Sequence, residues 1–319
     1  MSDPRPKIIS SIDCAKCHVE YDTENPIVLL FGGAVAEEPV SAGVPKPPVK
    51  SMRDAIIRKL PHFELYHPEK IGDWLHDGVY KDLVQFESDL SAICSLVVVV
   101  SESPGSIAEL AYFANHPIAQ KMLIFATEEH AETPSFINYG IFRLMERLST
   151  RLPAVKAYPW RDRSPSSITE NILEDVIADI DEELKRLPKR HLFRLKDETH
   201  LITAIYRITS LFAAVKLGEL EEYLSTLGFE FSRAELSAKL FLMEKFRLIE
   251  KRKYSGVDFY IKGKNSYHHM SLSGMAGAKP LDDLRIMMDC REYYRSAGSN
   301  ERHRVGLLKT LPDVSGGNV

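Results

Sequence analysis

Between Ser101 and Glu109 the chain reads Ser-Glu-Ser-Pro-Gly-Ser-Ile-Ala-Glu, directly after the apolar run Leu96-Val97-Val98-Val99-Val100. A buried strand that breaks at a Ser/Pro/Gly turn and leads into a helix is a setting for anion binding, because backbone N–H groups at a helix start point at the ligand. Ser103 and Ser106 add hydroxyls, and Gly105 lets a ligand approach the backbone. With the helix expected from about Ile107 to Asn115, Glu109 falls in its first turn and faces back toward the bend. A carboxylate there can attack an anomeric carbon or stabilise positive charge on it. The same carboxylate would equally complement the dipole of its own helix. Glu102, the residue after the strand turn begins, would equally be a solvated acid.

Other chemistry-bearing groups are weaker by spacing. Cys14-Ala15-Lys16-Cys17-His18 has the haem-attachment pattern, but no export signal precedes it and no second ligand pair follows at zinc-finger spacing. A reduced cysteine pair in a flexible arm is expected, with no metal site and no cofactor. His67 lies on the same strand-end rim, where a structural histidine is the commoner outcome. Arg233, Lys239, Lys245, Lys251, Arg252 and Lys253 cluster in one later segment, as a polyanion-contacting surface would require.

The elements that must position these groups can be read from apolar patterning. Short apolar strands are expected at 26–31, 63–66, 96–100 and 122–126, with another at 155–158. They alternate with helices near 51–60, 83–93, 107–115 and 142–148. That alternation implies a parallel sheet covered on both faces, with ligands outside the carboxyl ends of its strands. Ser167-Ile168-Thr169-Glu170 is a capping-box pattern. It opens an acidic helical stretch with seven Asp/Glu from Glu170 to Glu183, expected to be a solvated connector. Helices near 199–215 and 220–227, then one opened by a second capping box at Ser232, lead into two strands around Ser255-Gly256. This order describes a winged helix-turn-helix. Beyond Lys264 one helix, about 280–294, and a disordered polar terminus are expected.

The 319 residues exceed one ordinary core and suit two. Apolar residues at 44% and charged residues at 27% exclude a mostly disordered or collagen-like chain. No stretch suggests a membrane span: Leu201–Val215 is interrupted by Arg207. A cytoplasmic protein without membrane contact is expected. The net charge of −4 is uneven: residues 189–264 carry +5, those after 264 carry +1, and the first 188 carry −10. Such asymmetry suggests one half for small-molecule chemistry and another for a polyanion.

Phe31-Gly32-Gly33, Tyr66-His67-Pro68-Glu69 and the Glu102–Leu110 turn resemble nucleoside 2-deoxyribosyltransferase-like proteins. Together with Ser135-Phe136-Ile137-Asn138-Tyr139-Gly140 and the winged helix, they are similar to the effector proteins of bacterial retron anti-phage systems. The resemblance covers roughly Pro26 to Lys264. It implies an α/β, Rossmann-like N-glycosidase domain at 26–165, following an arm at 1–25. A helical linker at 166–190, a winged helix at 191–265 and a tail at 266–319 complete the organisation. It places the catalytic carboxylate on Glu109 and the substrate-binding positions on Gly32, Gly33, Glu69, Glu87, Glu102, Ser103, Gly105, Ser106, Asn138 and Tyr139. It also implies a toxin that cleaves NAD or related nucleotides when released by a reverse transcriptase and its multicopy single-stranded DNA–RNA hybrid. Homo-oligomer formation stays open. Relatives often carry an acid where Ser95 stands and a proline where Ser101 stands, and the 36–49 loop is long, so the resemblance leaves base specificity open. Two other readings remain: a nucleotide-sensing DNA-binding regulator and a nucleoside salvage enzyme.

Overall fold

The computed structural model describes residues 2–37, 47–59, 63–66, 78–148, 153–162, 164–275 and 281–311. The chain divides into two units, residues 1–22, 73–89 and 188–319 in one and 23–72 with 90–187 in the other. α1 (Arg5–Ser10) and β1 (His18–Glu20) open the chain in the first unit.

The second unit is built on five parallel strands: β2 (Ile27–Phe31), β3 (Glu64–Tyr66), β4 (Leu96–Val100), β5 (Met122–Thr127) and β6 (Val155–Tyr158). Their spatial order is β3-β2-β4-β5-β6. β2, β4 and β5 are buried along their whole length, which is why they read as unbroken apolar runs. Alternate residues serve opposite faces. Val28, Leu30, Val98, Val100 and Phe125 form one core with α2 (Met52–Lys59) and α7 (Glu170–Arg186), through Met52, Ile56, Leu173, Val176, Ile180 and Leu184. On the opposite face Phe31 meets Phe113 of α4 (Pro104–Phe113), ring centroids 5.3 Å apart. The division between units falls inside α3 (Leu83–Ile93).

Two expectations change here. α7 is a layer of the sheet unit rather than a solvated connector: its apolar residues recur at helical spacing and seal one sheet face, while Glu170, Glu174, Asp175 and Glu182 are exposed and Glu183 is buried. Its cap also moves, since Thr169 accepts from the Ile172 N–H while the Ser167 hydroxyl accepts from the Arg161 N–H. α5 (Glu128–Glu132) follows β5, and a π-helical stretch, Ile137–Phe142, runs into α6 (Arg143–Leu148).

In the first unit β1 is the middle strand of an antiparallel sheet, between β7 (Arg190–Leu192) and β10 (His269–Ser271). Within the flexible arm expected over 1–25, residues 5–10, 14–16 and 18–20 therefore hold regular structure, with Val19 and Cys17 fully buried. α8 (Glu198–Leu211), α9 (Leu217–Leu227) and α10 (Arg233–Lys245) precede the hairpin of β8 (Ile249–Tyr254) and β9 (Val257–Lys262). The Ser232–Glu235 capping box at α10 forms as expected. Ser255 and Gly256, with φ of 49° and 83°, make the two-residue turn whose twist suits a hairpin. Val215 pairs with Tyr260 beside it, at 2.9 and 2.7 Å. The tail holds α11 (Asp283–Ser296) and α12 (Arg302–Thr310). Residues 302–310, expected to be disordered, instead pack Leu307 against Phe259 and Ile261 of the hairpin. Among the described residues no helix is long and apolar enough to cross a membrane.

Candidate functional site

In the strand order, β2 is followed by a strand on one side and, after it, by β4 on the other. The crevice beyond the carboxyl ends of β2 and β4 is the topological switch point where such sheets take ligands. A cavity of about 130 Å³ lies there, lined by Gly33, Ser51, Glu102, Ser103, Trp160 and Arg161 among others. Ligand pockets usually hold ~300–1,000 Å³, so this small, partly open cavity suits one part of a nucleotide, such as a sugar or a phosphate.

Glu102 organises the cleft. Its Oε1 accepts from the Gly33 and Arg53 N–H groups, both at 3.0 Å, and its Oε2 from the Met52 N–H at 2.8 Å. The carboxylate thus ties the β4 end to the β2 turn and caps α2. Burial pushes its pKa up, while the three N–H donors pull it down. The close approach dictates the glycines: a Cβ on Gly32 would lie 2.8 Å from Arg53 Cβ, and one on Gly33 2.8 Å from Ser51 Cβ. Gly32, Gly33 and Glu102 are therefore one structural bracket. Glu102→Ala is expected to destabilise the protein by at least ~1–3 kcal/mol, because buried N–H groups lose their acceptor. Glu102→Gln should do less, keeping the two Oε1 bonds but setting an amide N–H₂ against Met52. Thermal melting of the two variants checks that ranking.

The serine turn is also self-contained. α4 starts at Pro104, three residues before the expected position, with Ser103 as its cap. Ser103 Oγ accepts from the Ser106 N–H at 3.1 Å and donates within the turn, to Gly32 O or Ser106 Oγ. Ser106 Oγ donates to Ser103 O at 3.0 Å and is buried. Both hydroxyl protons are spent internally, which corrects their expected role as ligand donors. Pro104 has no N–H, so the exposed Gly105 supplies the one uncommitted first-turn N–H. A Cβ at Gly105 would meet nothing closer than 3.8 Å.

The earlier helix start moves Glu109 to the second turn of α4, half-buried, with Oε2 sealed from solvent. Since Ser103 and Ser106 complete the cap, Glu109 is not needed as one. Asn138 donates its side-chain amide to Ala131 O and, at 3.4 Å, to Thr133 O. It thereby fixes the entry to the π-helical stretch, which packs against α4. Tyr139 is half exposed, with the Arg143 guanidinium 4.4 Å from its ring centroid. Glu87 is buried on α3, in the portion counted with the first unit. Glu69 and His67 lie outside the described residues.

Several rim residues escape the sequence reading. Lys50 and Arg161 are exposed, line the cavity and among the described residues carry no carboxylate partner, so they could meet a phosphate. Trp160 closes the cavity beside them and is buried. His130 has Nδ1 3.3 Å from Ser101 O and Nε2 3.0 Å from Asp162. It clasps the ends of β4, β5 and β6 together. Both ring nitrogens are engaged, so it positions the rim rather than offering a proton to a substrate.

Among the six expected polyanion contacts, Lys239 is otherwise employed. It is 5% exposed and pairs with Asp89 at 2.9 Å and Glu198 at 2.7 Å. Its ammonium would be ruinous to bury alone, and these carboxylates hold its pKa up against burial. Arg233 is exposed and near Glu221, and Lys245 is exposed over the Phe241 ring. On the hairpin Lys251 pairs with Asp258 and Arg252 with Glu250, leaving Lys253 open. Cys14 and Cys17 direct their sulfurs at the Leu227 and Asp13 carbonyls, and burial pushes Cys14 up to about 11. Among the described residues no cluster of three or more His, Cys, Asp or Glu could hold a metal.

A family model described as STM3845 retron effector protein matches residues 49–251, which include Glu102, Glu109 and Asn138. A curated protein of Escherichia coli, "Retron Ec86 putative ribosyltransferase/DNA-binding protein", is 28% identical over 97 residues, 30% of this chain and 32% of its own length. The chain thus matches about a third of the length of that curated relative.

Proposed function

Because the chain belongs to the STM3845 retron effector protein family, we infer that it is the toxin of a retron anti-phage system, cleaving the N-glycosidic bond of NAD or a related nucleotide. The observation that carries this reading is Glu109: a half-buried carboxylate at the carboxyl side of a parallel sheet, on a helix already capped by Ser103 and Ser106. The name of the Escherichia coli relative, which joins ribosyl transfer to DNA binding, supports the same pairing.

In the proposed reaction the Glu109 carboxylate forms a bond to the anomeric carbon as the carbon–nitrogen bond breaks, its electron pair leaving with the base. Nicotinamide is cationic in NAD and leaves neutral, so no acid is required. Water then releases the sugar from the carboxylate and gives its own proton to solvent. The Gly105 N–H, Lys50 and Arg161 would hold the phosphates, and Tyr139 would border the base. The sheet unit would then be nucleoside 2-deoxyribosyltransferase-like.

The helices α8 to α10, the hairpin and the Val215–Tyr260 pairing support a winged helix-turn-helix. This part would dock onto the reverse transcriptase and its DNA–RNA hybrid and keep the toxin silent. The test is incubation of the purified full chain with NAD, and separately with deoxynucleosides, followed by chromatography. Free nicotinamide with ADP-ribose is expected. Absence of base release from every substrate would overturn the reading, and base exchange without hydrolysis would make the protein a transferase.

A further inference from the structure

We propose that the tail helices α11 and α12 form, with the hairpin end, a second anion site that grips the phosphodiester backbone of the docked nucleic acid. The proposal rests on the nucleic-acid partner inferred above and names where, outside the residues first expected, that partner is held.

A cavity of about 520 Å³ is lined by Tyr254, Tyr294, Arg295, Gly298, Arg302, Val305, Gly306, Lys309 and Thr310. Three of these are cations and none is an acid. Arg295, Arg302 and Lys309 are all exposed, and among the described residues none carries a carboxylate partner. The contrast with the hairpin is sharp, since Lys251 and Arg252 are neutralised there by Asp258 and Glu250.

Helix dipoles explain only part of this arrangement. Arg295 and Lys309 stand in the last turns of α11 and α12, where a cation is favoured. Arg302 is the first residue of α12, where a cation is disfavoured. Glu301, the residue before Arg302, is buried and committed to Arg304 and Arg5. Among the described residues three like charges line one hollow that no acid lines, and a polyanion would supply their counter-charge.

The hollow is also built to last. The Tyr254 ring lies so close to Gly306 that a Cβ there would sit 2.4 Å from it. Glycine at 306 lets the end of the hairpin lie flat on α12, and Leu307 anchors the same helix to Phe259 and Ile261. The cations are thus carried on a fixed platform continuous with the hairpin.

The experiment compares the wild-type full chain with the triple variant Arg295→Ala, Arg302→Ala and Lys309→Ala. Binding of a fluorescein-labelled DNA–RNA hybrid duplex of mixed sequence is followed by anisotropy across a salt series. The residues are exposed, so equal melting temperatures are expected. Affinity should fall about tenfold or more at low salt, and the slope of log K against log salt should flatten by about 2–3, near one unit per lost phosphate contact. Wild-type binding with an unaltered variant slope would overturn the tail site and leave the docking reading intact. A weaker variant with an unaltered slope would also overturn it, because the contacts would not be to phosphate. No wild-type binding at all would overturn both.

Discussion

Glu109→Gln is expected to abolish toxicity and to slow base release by ~10²–10⁴, the range typical when a nucleophile or charge-stabilising group is removed. Glutamine matches the shape of the side chain and lacks the charge that, in the proposed reaction, would meet the anomeric centre. Glu109 does not cap α4, because Ser103 and Ser106 bond to each other's backbone, so the melting temperature should stay close to wild type. Expression of the chain without partners, with growth and cellular NAD followed together, provides the readout. Unchanged toxicity with a normal melting curve would remove Glu109 from the reaction.

The second large effect concerns stability. Arg5 and Arg304, 2% and 0% exposed, lie among Asp3, Glu219, Glu301 and the ring of Tyr294. Arg304 reaches both Glu219 oxygens at 2.5 Å, and Arg5 reaches Oε1 at 3.0 Å. The network joins α1, α9 and α12. Glu219→Gln leaves two buried guanidinium groups short of a counter-charge and is expected to destabilise the unit by ~3–5 kcal/mol. For a unit of this size that lowers the melting temperature by on the order of 10 °C.

The same network sets an acid limit. Burial raises the pKa of Glu219, but Arg304 and Arg5 outweigh it and hold it below its ordinary 4.5. Asp3, beside Arg5, is held below 3.8. Their contribution is present above those ordinary values and is lost as pH falls through the lowered ones. Wild type should therefore lose stability steeply below about pH 4.5, and Glu219→Gln should show a shallower fall. Parallel curves for the two proteins would mean that Glu219 is not the titrating group.

Much of this architecture is legible locally. Leu96–Val100 announces a buried strand because four of its five residues are β-branched, and Ser255-Gly256 announces a hairpin turn. Ser103-Pro104 carries a start signal, a capping serine before proline at the first helical position. The capping logic dates the helix correctly, while the apolar periodicity beginning at Ile107 dates it three residues late. What stays hidden depends on partners far along the chain. Lys239 looks like a surface lysine until Asp89, 150 residues earlier, meets it. β1 is three residues long, and its only local mark is Val19, whose partners are His191 and Met270. α12 is masked by Arg302, a cation at the first helical position, and by Gly306, a poor helix former that makes sense against the Tyr254 ring of the hairpin. His130 and Asp162 are separated by a whole strand and meet only because β5 and β6 are neighbours.

The central place of β1 has a consequence in time. The parallel strands all lie before residue 159, and the last helix that covers them ends at Arg186. β1, made first, cannot complete its sheet until His269–Ser271 have been made. At a synthesis rate of ~5–20 residues per second, the interval between making Arg186 and making Ser271 is on the order of ten seconds. A nascent chain passes through a stage in which the sheet unit is finished and its companion, holding both chain ends, is still an open scaffold. If the chain is the toxin proposed above, translation that stalls in that window would release a polypeptide bearing Glu109 without the unit proposed to restrain it, and quality control at the ribosome would become part of keeping it harmless.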